Sequence, residues 1–187
     1  MAKPPLDLPA LFPEICRIAD PAIRDGVEQV WQRLWQESAF ERLEDVPVSP
    51  GRIPVSQYGH FRAVPKLVVA CAEIWRDVHG TAINLDVLIA AALLVDVAKI
   101  VENEPKDGGP PGKSALGKRL PHGLYAAHVA LEVGLPLDVI HIIMSHSPNS
   151  GKAPDSLEGQ LIHWLDQADV AALGFDIWKR EVVHHHI

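Results

Sequence analysis

The sequence predicts a single all-α domain. Apolar residues recur at helical spacing in several separate segments, and the first of these contains Ile23, Val27, Val30, Trp31, Leu34 and Trp35. No segment keeps the period of two that a half-buried strand requires, and the sequence has no internal repeat. The 187 residues, 48% of them hydrophobic, are enough for one core that folds without disulfide bonds.

Composition and charge narrow the classes of partner. The formal net charge is −7 and basic residues form no cluster, so neither a nucleic acid polymer nor an anionic membrane is an expected partner. No run of eighteen apolar residues is present, so no membrane-spanning helix is expected. The first 13 residues lack the basic and apolar parts of a signal peptide, and the two cysteines form no C-x-x-C pair. We therefore expect a cytoplasmic protein.

The chain is expected to divide into three parts. Residues 1–20 are a proline-rich N-terminal extension, residues 21–180 are the single helical domain, and residues 181–187 are a C-terminal tail. The tail contains three consecutive histidines, which we exclude from the site because a terminal histidine run binds metal without any fold. The Pro/Ser/Gly-rich residues 46–53 are expected to be a connecting loop within the domain.

Capping signals place the first two long helices. Asp20 and Pro21 have the residue types of an N-cap followed by a first-turn proline, so a helix is expected to begin there. A second helix is expected over residues 57–79, where Pro65 either starts its regular part or kinks it. Gly80 is expected to end that helix.

The next predicted helix is apolar on nearly every side, which is typical of the buried centre of a domain. It covers residues 85–101 and has Asn84 as its cap. Asp96 and Lys99 are charged groups inside this apolar run, where charge is costly unless it is paired or bound to metal. These two residues are therefore candidates for function.

A glycine- and proline-rich segment over residues 104–119 follows and is expected to be a mobile surface loop that could serve as a lid. Helices are then expected over residues 121–133 and 137–145, separated by a break at Gly134-Leu135-Pro136. A last helix is expected over residues 156–173.

Histidines and acidic residues occur on or near several of these helices, which is how helical bundles build metal sites in their cores. In chain order they are His60, Asp96, His122, His146, and Asp166 or Asp169. Mixed nitrogen and oxygen ligands suit zinc, iron, manganese or cobalt, and several carboxylates favour a hydrolytic or dinuclear site.

This succession resembles the HD-domain superfamily of metal-dependent phosphohydrolases over about residues 57–175. The resemblance is carried by His60, the run Ala-Ala-Leu-Leu-Val-Asp-Val-Ala-Lys at 91–99, His122, His146 and the run Leu-Ile-His-Trp-Leu-Asp at 161–166. In that family the corresponding run reads Ala-Leu-Leu-His-Asp-hydrophobic-Gly-Lys. Here Val95 replaces the histidine and Ala98 replaces the glycine, while Asp96 and Lys99 are kept.

The resemblance implies an HD-domain-like helical bundle and a set of metal ligands. His60 and the last aspartate would help to hold a first ion, Asp96 would hold that ion or bridge two, and His122 with His146 would hold a second. The expected cofactor is therefore one or two divalent ions of zinc, manganese, iron or cobalt. For the last aspartate we favour Asp166, with Asp169 as the alternative.

The departure at Val95 leaves three outcomes open. One ion could bind to Asp96, His122 and His146, the first site could survive with water in place of the missing imidazole, or the fold could persist without a catalytic metal.

Asp96 and Lys99 are the expected catalytic residues, with Lys99 near a phosphate or a developing negative charge. The substrate is expected to contact Lys99, Arg62 and His163, and Lys113 and Lys118 could add positive charge.

We adopt the hypothesis that the protein hydrolyses a small phosphorylated or polar substrate with metal-activated water. Related HD-like folds also include dinuclear iron oxygenases and a hydratase, so the ligands alone do not fix the reaction. A third reading is a non-catalytic module that binds or senses a small molecule and has lost its metal. A homodimer is compatible with this sequence, but no feature specifies one.

Overall fold

The computed structural model describes residues 3–50, 53–176 and 179, and it confirms the all-α class. Over these residues the α-helices are α1 (Leu8–Leu11), α2 (Pro21–Glu37), α3 (Gln57–His79), α4 (Leu85–Leu94), α5 (Lys99–Glu102), α6 (His122–Glu132), α7 (Leu137–Ser145) and α8 (Leu157–Leu173). The predicted tail at 181–187 lies outside the described residues. No helix within them is long and apolar enough to cross a membrane.

Helix α4 is the centre of the bundle. It contacts α2, α3, α7 and α8, and every residue from 87 to 94 is buried. Asn84 caps its start by accepting a hydrogen bond from the backbone N–H of Val87. The side chains of the bundle therefore pack around an apolar helix, and Asp96 lies in the turn just after its C-terminal end.

The predicted start of α2 and both predicted ends of α3 are confirmed. Asp20 accepts hydrogen bonds from the first turn of α2, and the six apolar residues predicted for its core face are buried. Helix α3 ends at Gly80, which has a φ of 65°. Apolar residues of the N-terminal segment also lie in the core: Leu8, Phe12, Ile15 and Ile18.

The prediction of one continuous helix over residues 85–101 is wrong. Helix α4 ends at Leu94, a tight turn follows over residues 95–98, and α5 begins at Lys99. The indole N–H of Trp31 donates to the carbonyl oxygen of Leu93 at 3.0 Å, while the N–H of Val97 donates to Leu94 instead. An α-helix would need the Leu93 carbonyl for Val97, so a core tryptophan stabilises the break.

Two short antiparallel hairpins are present in segments that were expected to be loops. Strands β1 (Pro47–Ser49) and β2 (Ile53–Ser56) pair where a connecting loop was expected, and β3 (Asn103–Lys106) and β4 (Gly109–Lys113) pair within the expected loop. The hairpin β3–β4 turns at Gly108, whose φ is 67°. These strands have three to five residues each. They are too short, and too rich in glycine and proline, to show an alternating apolar and polar pattern.

Helices α6, α7 and α8 match their predicted positions within one or two residues. Helix α6 packs on α7, and α8 packs on α3 and α4. The positive φ of Gly134, 80°, allows the predicted turn between α6 and α7. Through these contacts the start of α6, the end of α7 and the middle of α8 meet the turn that follows α4.

Candidate metal centre

Five predicted ligands converge at the turn that follows α4. Asp96 lies in this turn, and the others come from four different helices: His60 on α3, His122 at the start of α6, His146 directly after α7 and Asp166 on α8. All are buried except His122, which is partly exposed. Two groups of candidate metal ligands result, and both include Asp96.

The two carboxylate oxygens of Asp96 face different partners. Oδ1 lies 3.1 Å from Nε2 of His122 and 3.8 Å from Nε2 of His146. Oδ2 lies 3.0 Å from Nε2 of His60, accepts a hydrogen bond of 2.7 Å from the side-chain amide of Gln57, and lies 3.1 Å from Nζ of Lys99. The carboxylate therefore separates a histidine pair from a more crowded hydrogen-bonded group.

The histidine pair has the donor geometry of a metal site. Nε2 of His122 and Nε2 of His146 are 3.4 Å apart. Donor atoms about 2.0–2.1 Å from a tetrahedral ion are about 3.4 Å from one another, close to the spacings within this group. Nδ1 of His146 donates to the carbonyl of Ile143 at 2.8 Å, so its Nε2 keeps a free lone pair. These residues fit a divalent transition metal.

The group around His60 is held together by hydrogen bonds. Its Nε2 lies 2.9 Å from Oδ1 of Asp166, and its Nδ1 lies 2.7 Å from Oδ2 of Asp169. Asp166 therefore faces Asp96 across the ring nitrogen of His60, whereas Asp169 binds the opposite side of the ring. The two aspartates left open by the sequence thus occupy different places.

Opposite charges in this cluster stabilise one another's charged forms. Burial disfavours the charged form of His60, but hydrogen bonds to Asp166, Asp169 and Asp96 outweigh burial and raise its pKa well above the usual value. Burial likewise favours the neutral acid at Asp96, but Lys99 and the histidines lower its pKa well below the usual range. Lys99 has a raised pKa despite its burial because carboxylates surround it. Asp96 is therefore ionised and Lys99 charged.

Two polar residues in contact with the cluster were missed by sequence reasoning. Gln57 is fully buried and bonds to Asp96, and its Oε1 has no hydrogen-bond partner among the described residues. Glu102 is buried with its Oε1 3.5 Å from Nδ1 of His122. Glu102 lies three residues after Lys99, on a neighbouring position of the same helix, and this spacing was the available signal. No sequence signal pointed to Gln57.

The structure brings only some of the predicted substrate residues to the cluster. Lys99 contacts Asp96, and Nδ1 of His163 donates to the backbone carbonyl of His146 at 2.6 Å. Arg62 is exposed and lies over the ring of Tyr58, 5.6 Å from its centroid, so this guanidinium is not part of the cluster.

The two lysines expected to add positive charge have other surroundings. Nζ of Lys113 lies 2.7 Å from Oε2 of Glu102, and Lys118 is exposed. In this structure the ammonium of Lys113 is therefore paired with a carboxylate next to His122.

Position 95 supplies no ligand. Val95 is buried and lines a small cavity together with His60, Asp96 and apolar residues of α3 and α4. The side chain of Val95 thus lies beside the His60 group without a nitrogen or oxygen to offer.

Comparisons with known proteins agree with the resemblance over residues 57–175. The sequence pattern of the HD domain family matches residues 58–171. Over 111 residues the chain is 31% identical to the dihydroneopterin 2',3'-cyclic phosphate phosphodiesterase of Methanocaldococcus jannaschii. That alignment covers 59% of this chain and 44% of the relative, so the chain spans less than half of the relative's length. No solved structure matches the chain.

Proposed function

Because the chain belongs to the HD-domain family, we propose that it is a metal-dependent phosphohydrolase acting on a small phosphorylated substrate. The observation that carries the proposal is the convergence of Asp96 Oδ1 with the Nε2 atoms of His122 and His146. The relative's name describes a cyclic phosphate phosphodiesterase. A phosphodiester is therefore the substrate class that we propose first.

We assign a single ion to Asp96, His122 and His146. Their donor set has two imidazoles and one carboxylate, as in catalytic zinc sites that keep an open position. Oδ2 of Asp96 already receives the amide of Gln57 and faces the ammonium of Lys99. Since Val95 adds no ligand, this side of the carboxylate is better suited to protein hydrogen bonds than to a second ion.

When bound, a divalent ion supplies Lewis acidity and activates water at neutral pH. The side chains around the ion stabilise the charges of the substrate and of the carboxylates. Lys99 holds a positive charge 3.1 Å from Asp96, where it stabilises negative charge that develops on a phosphoryl group. His60 holds a proton between Asp96 and Asp166, and this charge offsets the carboxylates that would otherwise repel an anionic substrate.

The test is metal content and turnover in protein lacking residues 184–187. We expect near-stoichiometric metal by mass spectrometry, and hydrolysis of a chromogenic phosphodiester or a 2',3'-cyclic phosphate. His146→Ala should lose both, while His128→Ala, an exposed histidine of α6, should keep both.

Two other outcomes would contradict the proposal. Bound iron with oxygen-dependent turnover would indicate an oxygenase instead. A folded protein that takes up none of zinc, manganese or iron and shows no turnover would indicate a binding module.

A further inference from the structure

We infer that Glu102 is a positioning residue that orients His122 toward the metal. Its side chain is held in place by the β3–β4 hairpin. The inference rests on the proposed ion at Asp96, His122 and His146. Glu102 is the last residue of α5 and is only 6% exposed. Its Oε1 faces Nδ1 of His122 at 3.5 Å and accepts the backbone N–H of the same residue at 3.3 Å. One oxygen thus contacts both the ring and the backbone of His122.

The other oxygen of Glu102 is held by the hairpin. Oε2 lies 2.7 Å from Nζ of Lys113, the last residue of β4. A buried carboxylate is costly unless it is paired and hydrogen-bonded, and here Lys113 and His122 satisfy its two oxygens. The hairpin therefore holds the carboxylate in place.

The backbone around Glu102 is fixed by close packing. Ser114 donates its N–H to the carbonyl of Glu102 at 2.9 Å and its hydroxyl to the carbonyl of Val101 at 2.7 Å. A Cβ atom built on Gly117 would lie 2.0 Å from the Glu102 carbonyl oxygen, so only glycine permits this approach. The segment after β4 thus packs directly on the backbone of the residue that contacts His122.

This arrangement explains how His122 presents its Nε2 to the ion. A carboxylate next to Nδ1 keeps the proton on that nitrogen and leaves the Nε2 lone pair free to bind metal. His146 obtains the same orientation from the carbonyl of Ile143. Glu102 therefore orients His122, as the backbone carbonyl of Ile143 orients His146. Lys113 holds Glu102 in place and is not a substrate contact.

The experiment compares metal affinities, measured by competition with a chelating dye for Zn²⁺, in protein lacking residues 184–187. Glu102→Met removes the acceptor and should weaken binding by about 10–100-fold. Glu102→Gln keeps an oxygen and should fall between Glu102→Met and the parent. Glu104→Met, two residues further along and paired with Lys106, is the matched control and should bind like the parent. Equal affinities for parent and Glu102→Met would overturn the inference.

Two further measurements keep the test decisive if Glu102→Met does not fold. Lys113→Met alters a partly exposed side chain and should also weaken binding, so an unchanged affinity would overturn the role of the hairpin. Nitrogen NMR of the zinc-loaded parent should show His122 protonated at Nδ1, which a merely structural Glu102 would not require. A parent that binds none of zinc, manganese and iron would refute the proposed function itself, whereas equal affinity in all variants refutes only this inference.

Discussion

Nδ1 of His60 lies 2.7 Å from Oδ2 of Asp169, on the side of the ring opposite to Asp166. The two aspartates are three residues apart on α8 and hold one imidazole between them. Both stabilise its protonated form, and Asp166 is the stronger contributor.

We expect Asp166→Asn to lower the pKa of His60 more than Asp169→Asn does. Removing either carboxylate weakens a charge-assisted hydrogen bond to the imidazolium, and Asp166 also lies on the side that faces Asp96. The measurement is an NMR titration of the His60 ring in metal-free protein, with the exposed Asp138→Asn as control. A larger effect of Asp169→Asn would contradict the assignment of Asp166 to the inner position.

Asp96→Ala should destabilise the metal-free protein by about 3–5 kcal/mol. The substitution leaves the buried ammonium of Lys99 without its nearest carboxylate. Adding Lys99→Met should recover part of the loss, because the second change removes the stranded charge. The measurement is the free energy of unfolding in urea with a chelator present. A double variant no more stable than Asp96→Ala would show that the ion pair is not the cause.

Two glycine substitutions should change stability in opposite directions. Gly117→Ala should cost about 1–3 kcal/mol or more, because its Cβ would collide with the backbone of Glu102. Gly59→Ala should add about 0.5–1 kcal/mol, because Gly59 is exposed within α3 and has open space around its Cβ position. Thermal unfolding of both variants beside the parent checks the prediction, which is wrong if Gly117→Ala is neutral.

The contribution of Glu102 to stability should disappear in acid. Burial favours its neutral form, but His122 and Lys113 outweigh burial and lower its pKa from 4.5 to about 2. A pKa lower in the folded protein than in the unfolded chain gives stability that is complete above about pH 4.5 and is lost as the pH falls toward 2. Allowing for solvent screening, this is about 2 kcal/mol.

The matching measurement is the difference in unfolding free energy between parent and Glu102→Gln, followed in chelator. The parent should be the more stable at pH 6, and the difference should shrink steadily below pH 4. A difference that stays constant with pH would mean that Glu102 has the same pKa in both states.

Val95→His should raise the metal content from one ion to two. Val95 lines the same small cavity as His60 and Asp96, so an imidazole there would add a nitrogen donor beside the His60 group. Val95→Leu, which offers no donor, is the control at the same position. The measurement is the number of metal ions bound per chain in the purified variants and the parent. Two ions in the parent would contradict the single-ion assignment.

The sequence predicted the helices of the bundle well because their caps and periodicity are local. Asp20, Asn84 and Gly80 act within one turn of where they lie, so their effects can be read without the fold. The candidate ligands could also be named from the sequence, because their types and order resemble a known family, and the structure brings them together. The helix break after Leu94 could not be foreseen, because the residue that stabilises it, Trp31, lies 62 residues away along the chain.

The support around the ligands was missed for the same reason. The sequence suggested Lys113 only as a source of positive charge, and the pairing of β3 with β4 places its ammonium next to Glu102. Gln57 contacts Asp96 only because α3 packs on α4. Such contacts depend on tertiary packing, which neither composition nor periodicity records.

The hydrogen bond from the core side chain of Trp31 to the carbonyl of Leu93 joins the packing of α2 to the start of the turn that carries Asp96. Substitutions in the core around Trp31 can therefore change the metal affinity of this protein as well as its stability. A substitution of Trp31 that alters the packing of the core would therefore also alter the support of this turn.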